Sequence, residues 1–217
     1  HAYREARLLL IQAQGAAEAL NGSTPRALEL EIPLLLADIE ERLGDPARCL
    51  ELAEVVLGRA DERLEKAPMA EALMLMGWVM ARQARWDDAG RMYQRAKDLY
   101  GALGDGHNVA TVHLRQGNIA FERSDLEAAA AAYRDAKAAA TQCDDAVLLG
   151  SIGGNLGVVA TVRGDHVQAV LHYTEAIKAY SRAKHRYGIC QTYQNLGMCH
   201  AAQGEWQAAL SCYAKGE

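Results

Sequence analysis

Small and apolar residues return along this chain at a step of forty. Gly77, Gly117, Gly157 and Gly197 mark the step. Ala89, Ala129, Ala169 and Ala209 follow each glycine by twelve residues, Tyr93, Tyr133, Tyr173 and Tyr213 by sixteen, and Ala96, Ala136, Ala176 and then Gly216 by nineteen. A fixed period of this length marks a repeat array. Within one period the spacing is helical. Tyr193, Leu196, Gly197 and His200 recur at threes and fours and share one face of a first helix, while Ala209, Tyr213 and Gly216 share one face of a second. Short turns lie between, at Gly44-Asp45-Pro46, Ala84-Arg85-Trp86, Ser124-Asp125-Leu126, Gly164-Asp165-His166 and Gly204-Glu205-Trp206. There, glycine past one helix end and an acid in the first turn of the next make the break. Each period predicts a helical hairpin.

The glycine column is the informative one. Inside a helix, glycine costs about 1 kcal/mol relative to alanine. Four in register imply a contact where even a methyl group is unwelcome. The expectation is that the second helix crosses the first there, with the Ala89 column opposite and the tyrosines filling the space around the crossing. Gly77→Leu or Ala129→Phe then overpacks the hairpin by a few kcal/mol.

The pattern Asn-Leu-Gly, then Gly-Asp or Gly-Glu, then Ala, Tyr and Ala, explicit over Asn155–Ala176 and Asn195–Tyr213, resembles the tetratricopeptide repeat. The forty-residue step is similar to the long-repeat subclass of kinesin light chains, G-protein-coupled spindle regulators and bacterial signalling ATPases. The resemblance is strong from Leu73 to Glu217 and extends back through Leu36, Ala37, Gly44, Cys49, Ala53 and Val56, where Pro33 and Glu40 depart from the pattern. It implies an all-α fold, a right-handed superhelical solenoid of antiparallel helix pairs. The expected organisation is one continuous array over 1–217. It comprises a leading helix at 2–21, a degenerate repeat at 26–62, regular repeats at 68–104, 107–143 and 147–183, and a truncated last repeat at 187–217. Thr24 is expected as an N-cap and Pro25 as the first residue of the second helix. His1 in place of methionine, and a stop at Glu217 inside a helix, read as a fragment.

Composition narrows the function. Half of the 217 residues are hydrophobic, 24% are charged, and only 4 are proline, the mark of a folded, water-compatible chain. The net charge of −5 gives no basic field for nucleic acid or an anionic membrane. Apolar runs such as Leu8–Ile11 and Ile32–Ala37 are far shorter than the roughly 20 residues of a membrane span. Cysteines at 49, 143, 190, 199 and 212 are odd in number and form no CxxC, so they read as free thiols in a reducing cytoplasm. The Asn21-Gly22-Ser23 sequon therefore carries no weight.

Catalytic and ligand chemistry finds no foothold. Gly150–Gly157 is glycine-rich but matches neither phosphate-loop pattern, and Gly157 is in the repeat register. Cys199 and His200 are adjacent and point apart on one helix, so Cys190, Cys199, His200 and Cys212 read as packing and not as zinc ligands. His113 sits in a repeat column; His166 and His172 are expected on the solvated surface of a second helix. No nucleophile–base set and no HExxH occurs, so neither an enzyme nor a cofactor is expected.

The resemblance implies that first helices line the binding groove. Its lining would be Trp78, Asn118, Val158 and Met198 just after the glycines, and Leu75, Arg115, Asn155 and Asn195 just before them. Glu71, Thr111, Ser151 and Gln191 lie a turn further out, with Arg82 and Glu122 toward the helix ends. Asn118, Asn155 and Asn195 form an expected amide ladder for a peptide backbone. Arg82 and Arg115 are too few for a clamp on a terminal carboxylate. The partner expected is a protein or peptide, an extended segment or a helix. The alternative is a sensory or autoinhibitory segment of a larger bacterial signalling protein (a regulatory ATPase, kinase or transcription factor), binding a small effector or its own catalytic domain. Ala-, Arg- and Gly-rich usage suits a GC-rich bacterium. Exposed array ends make self-association a third expectation.

Overall fold

Where most of the helices stop is decided by one residue of positive φ. In the computed structural model, which describes residues 2–19 and 28–216, the helices are α1 (Ala2–Ala19), α2 (Leu28–Leu43), α3 (Pro46–Glu62), α4 (Lys66–Arg82), α5 (Trp86–Leu103), α6 (Gly106–Glu122), α7 (Leu126–Gln142), α8 (Ala146–Val162), α9 (His166–Arg182), α10 (Arg186–Ala202) and α11 (Trp206–Lys215). Successive helices from α2 onward are separated by two or three residues. Gly44 at φ 87° closes α2: its N–H donates to Glu41 O at 3.0 Å, and that of Asp45 to Glu40 O at 2.8 Å. This paired geometry satisfies carbonyls that a helix end leaves open. Ala84 repeats it, donating to Ala81 O at 3.0 Å while Arg85 donates to Met80 O at 2.9 Å. The same left-handed state is taken by Leu64, Ser124, Asp144 and Lys184. At Leu64, φ is 56° and the side chain is 82% exposed, so nothing offsets the strain. Leu64→Gly is expected to stabilise the chain by about 0.5–1 kcal/mol, read as a higher urea midpoint.

The acids after the turns stand one residue earlier than the sequence suggested. Asp45, Asp125 and Asp165 are N-caps, not first-turn residues, and their carboxylates accept from the N–H of Arg48, Ala128 and Gln168 at 3.0, 3.0 and 3.1 Å. Asp145 caps α8 in the same way, and His185 caps α10 through Nδ1, which accepts from Gly188 N at 3.0 Å. The expected cap at Thr24 and helix start at Pro25 lie outside the described residues.

The chain divides into two compact units, His1–Asp105 and Gly106–Glu217. The first holds α1 and the hairpins α2/α3 and α4/α5; the second holds α6/α7, α8/α9 and α10/α11. In each, the first helices of consecutive hairpins also pack on one another.

The close crossing is real, but its occupant differs from the expectation. A Cβ on Gly77 would stand 2.6 Å from Tyr93 Cε1, and one on Gly157 2.5 Å from Tyr173 Cε1. Gly117 and Gly197 meet Tyr133 and Tyr213 in the same way. The tyrosine ring, not the Ala89 column, lies against each glycine. The alanines are buried, Ala89, Ala129 and Ala169 completely, but the flat ring is what needs the bare backbone. Gly150 and Gly188 repeat the arrangement around Tyr180, at 2.6 and 2.7 Å for an added Cβ. The glycine-rich stretch is thus part of the unbroken helix α8, with Gly150, Gly153 and Gly157 placed for packing and Gly154 facing open space.

The first hairpin absorbs its two irregular residues. Pro33 is buried inside α2 and has no N–H for Glu29 O, four residues back. Arg59 approaches that carbonyl at 3.4 Å, and Arg63 pairs with the Glu29 carboxylate. Glu40 is 4% exposed and receives Arg7 Nε at 2.7 Å, which fastens α1 to α2. Around them Ile32, Leu36, Ala37, Cys49, Leu52 and Val79 form one core cluster.

Candidate binding faces

In the second unit the first helices α6, α8 and α10 stand side by side. Asn118, one residue beyond the glycine of α6, is the joint between the first two. Its Oδ1 accepts from the Tyr133 hydroxyl at 2.9 Å and from Asn155 Nδ2 at 3.0 Å. One carbonyl therefore ties α6 to α7 and to α8. Burial pushes the Tyr133 hydroxyl up to about 12, with the nearby Asn155 amide opposing the rise, so it remains a neutral donor at ordinary pH. Two of the three expected amides are joined; half-buried Asn195 adds no further rung among the described residues.

The next column outward divides in two. Thr111 Oγ1 donates to His107 O, and Ser151 Oγ to Val147 O, each at 3.1 Å along its own helix. Ser151 Oγ also meets the Tyr180 hydroxyl at 2.9 Å. Gln191, in the same column, is exposed, as are Glu122 and, at 57%, Met198; Arg115 is half-buried. A face that is pre-arranged around Asn118 thus ends in adaptable groups on α10.

In the first unit α2 and α4 form the corresponding pair. Their columns match at the repeat step: Glu31 with Glu71, Leu35 with Leu75, Asp38 with Trp78, and Arg42 with Arg82. The Glu71 carboxyl is held above the usual carboxylate range, first by partial burial and then by the charges of Glu31 and Asp105. Arg82 pairs with Glu41, and Arg42 Nε donates to Asp38 Oδ2 at 2.8 Å. Trp78 and Leu75 are half-buried, and Leu35 is 55% exposed.

The histidines depart from expectation in part. His166 and His172 are half-buried, not solvated. Nδ1 of His166 lies 3.7 Å from Cys199 Sγ, and Nδ1 of His172 is buried without a hydrogen bond among the described residues. Burial, with Lys137 second, holds the His172 imidazole below its ordinary range. Cys199 is fully buried, and burial pushes its thiol up, away from the thiolate. His200 pairs with Glu205 Oε2 at 2.6 Å, and His107 with Asp145 Oδ2 at 2.8 Å. No group of three or more potential metal ligands gathers among the described residues. No described helix is long and apolar enough to cross a membrane.

Sequence reasoning missed two associations. Ser151 with Tyr180 joins adjacent helices of one hairpin, and its signal is a tyrosine column of double period, Tyr100 and Tyr180. Glu31 with Glu71 was visible at the forty-residue step, but it falls in the least regular repeat.

Residues 146–216 match one family model described as tetratricopeptide repeat, and residues 71–101 match a second of the same description. Among solved structures, BtubC (BKLC) from P. vanneervenii is similar over 100% of this chain and 90% of its own, at TM-score 0.83 and 23% identity. MamA is similar over 83% of this chain and 92% of its own, at 0.59 and 20%. A Rap protein complexed with competence and sporulation factor is similar over 97% of this chain and 62% of its own, at 0.76 and 12%. These likenesses are of fold, and they bear out the all-α array of helix pairs. No curated protein matches the chain in sequence.

Proposed function

Because this chain belongs to the tetratricopeptide-repeat family, whose arrays are protein-interaction scaffolds, we propose that the first-helix face of its second unit holds a segment of a partner protein. The observation that carries this is the Asn118 joint, where two donors converge on one carbonyl and fix the amides of α6 and α8. Fixing them beforehand lowers the entropy lost on binding. Asn155 keeps its own Oδ1 for a backbone N–H, in the manner of a side-chain amide reading an extended chain. Met198 and Gln191 supply an adaptable apolar anchor and a further amide. The likeness to the Rap complex supports a second molecule as occupant of such a helix array. In this reading the chain holds and does not catalyse. Its five free cysteines, three of them buried, suit a reducing compartment such as cytoplasm.

The test is site-specific photo-crosslinking in the native cell. A photoreactive residue at Met198 should capture the partner, whereas one at the exposed Lys178 on α9 should not. Gln191→Ala with Asn195→Ala leaves the Asn118–Asn155 bond in place and should cut the Met198 crosslink roughly tenfold. Capture from Lys178 alone would move the binding face to the second helices and end the proposal.

A further inference from the structure

The first-helix face of the first unit contains two carboxylates that have no ion pair among the described residues. Of the five acids on α2, four are matched by arginines: Glu29 by Arg63, Asp38 by Arg42, Glu40 by Arg7 and Glu41 by Arg82. Glu31 is the exception, with no ion pair among the described residues, and so is Glu71, the single acid of α4. Burial first, and then the charges of Glu31 and Asp105, disfavour the ionised form of Glu71. Glu31 lies in the first turn of α2, where the helix dipole favours a negative charge. Glu71 is the sixth residue of α4, beyond that help. The like-charge pair works against the fold, which points to a use outside it.

Beside the pair lies apolar surface. Leu35 and Leu75 follow Glu31 and Glu71 by four residues on the same helix faces, and Trp78 follows Leu75 by three. Leu35 is 55% exposed although it belongs to a helix whose other leucines, from Leu30 to Leu36, are buried. Neighbouring helices stand about 9 Å apart, so a single cationic side chain can lie between carboxylates carried by two of them.

We infer that this face binds a basic amphipathic helix of a partner protein, with its apolar side on Leu35, Leu75 and Trp78 and an arginine or lysine between Glu31 and Glu71. A guanidinium suits the site better than an ammonium, because its fork serves two carboxylates at once. The inference extends the scaffold reading to the first unit and names the chemistry of the partner. A cation there relieves the repulsion at Glu71, so part of the binding energy comes from removing a penalty already present in the free protein.

The experiment uses the intact chain and three labelled peptides of about 14 residues. One carries leucines at helical spacing with arginines elsewhere, a second replaces arginine by glutamate, and a third replaces leucine by serine. Fluorescence anisotropy should show the arginine–leucine peptide binding roughly tenfold more tightly than either control, with affinity falling as salt rises. Glu31→Gln with Glu71→Gln should lower that affinity roughly tenfold while the thermal midpoint stays level or rises. Equal binding of the arginine and glutamate peptides, or undiminished binding by the double variant, overturns the inference. Loss of binding on Gln191→Ala with Asn195→Ala, and not on the glutamate changes, also overturns it while leaving the second-unit proposal standing. Dependence on the glutamates together with an unchanged Met198 crosslink in the Gln191/Asn195 variant has the opposite meaning: this inference holds and the second-unit proposal fails.

Discussion

Gly157→Ala should destabilise the chain by about 2 kcal/mol, whereas Gly154→Ala, three residues earlier in the same helix, should stabilise it by about 0.5–1 kcal/mol. Both substitutions add one methyl group to α8, and both gain the same helix propensity of up to about 1 kcal/mol. What differs is the space. A Cβ on Gly154 meets nothing within 4 Å, while one on Gly157 stands 2.5 Å from Tyr173 Cε1 and 2.6 Å from Cδ1. The Tyr173 ring is 2% exposed and cannot swing away without opening the hairpin. Overpacking of this kind typically costs about 1–3 kcal/mol, and here it must also overcome the propensity gain. Urea midpoints of the two variants against the parent chain decide the matter. If both alanines shift the midpoint in the same direction, the ring is not what requires glycine at the crossing.

The contrast also shows what the repeat step could disclose. A glycine retained four times in register is legible, because each one carries a penalty that only a close contact explains. Its partner is not, since the two helical faces are given by spacing but their relative rotation is not. The sequence placed Ala89 and Tyr93 on the same face of the second helix, and only coordinates decide that Tyr93 meets Gly77. The turns were readable for a similar reason: Gly44, Gly164 and Gly204 announce positive φ, whereas Leu64 and Lys184 take the same state with no such signal. The helix columns that hold Asn118 and Asn155 were also readable. Their hydrogen bonds were not, because Asn118 and Asn155 lie 37 residues apart and meet through helix packing alone. The buried Glu40 stood out as a misfit in the repeat, but its meaning depends on Arg7, which comes from a helix outside the period.

Tyr133→Ala should cost about 4 kcal/mol, and Tyr133→Phe about 1 kcal/mol, with different consequences for binding. Removing the ring empties the space against Gly117, and a backbone that already approaches closely has no side chain with which to refill it. Large-to-small changes at such sites cost most, because the surroundings cannot collapse. Removing the hydroxyl alone preserves the packing but takes away one of the two donors to Asn118 Oδ1, which lies 2.9 Å from the Tyr133 hydroxyl. The Asn118–Asn155 bond then loses the partner that orients it, so the phenylalanine chain should stay folded yet bind its partner a few-fold more weakly. Denaturation gives the two stabilities, and the Met198 crosslink yield gives the binding effect. A phenylalanine variant with unchanged crosslinking would show that the tyrosine serves the core alone. A fall in crosslinking at nearly full stability would show that the residue holding the hairpin together also sets the amides that face the partner.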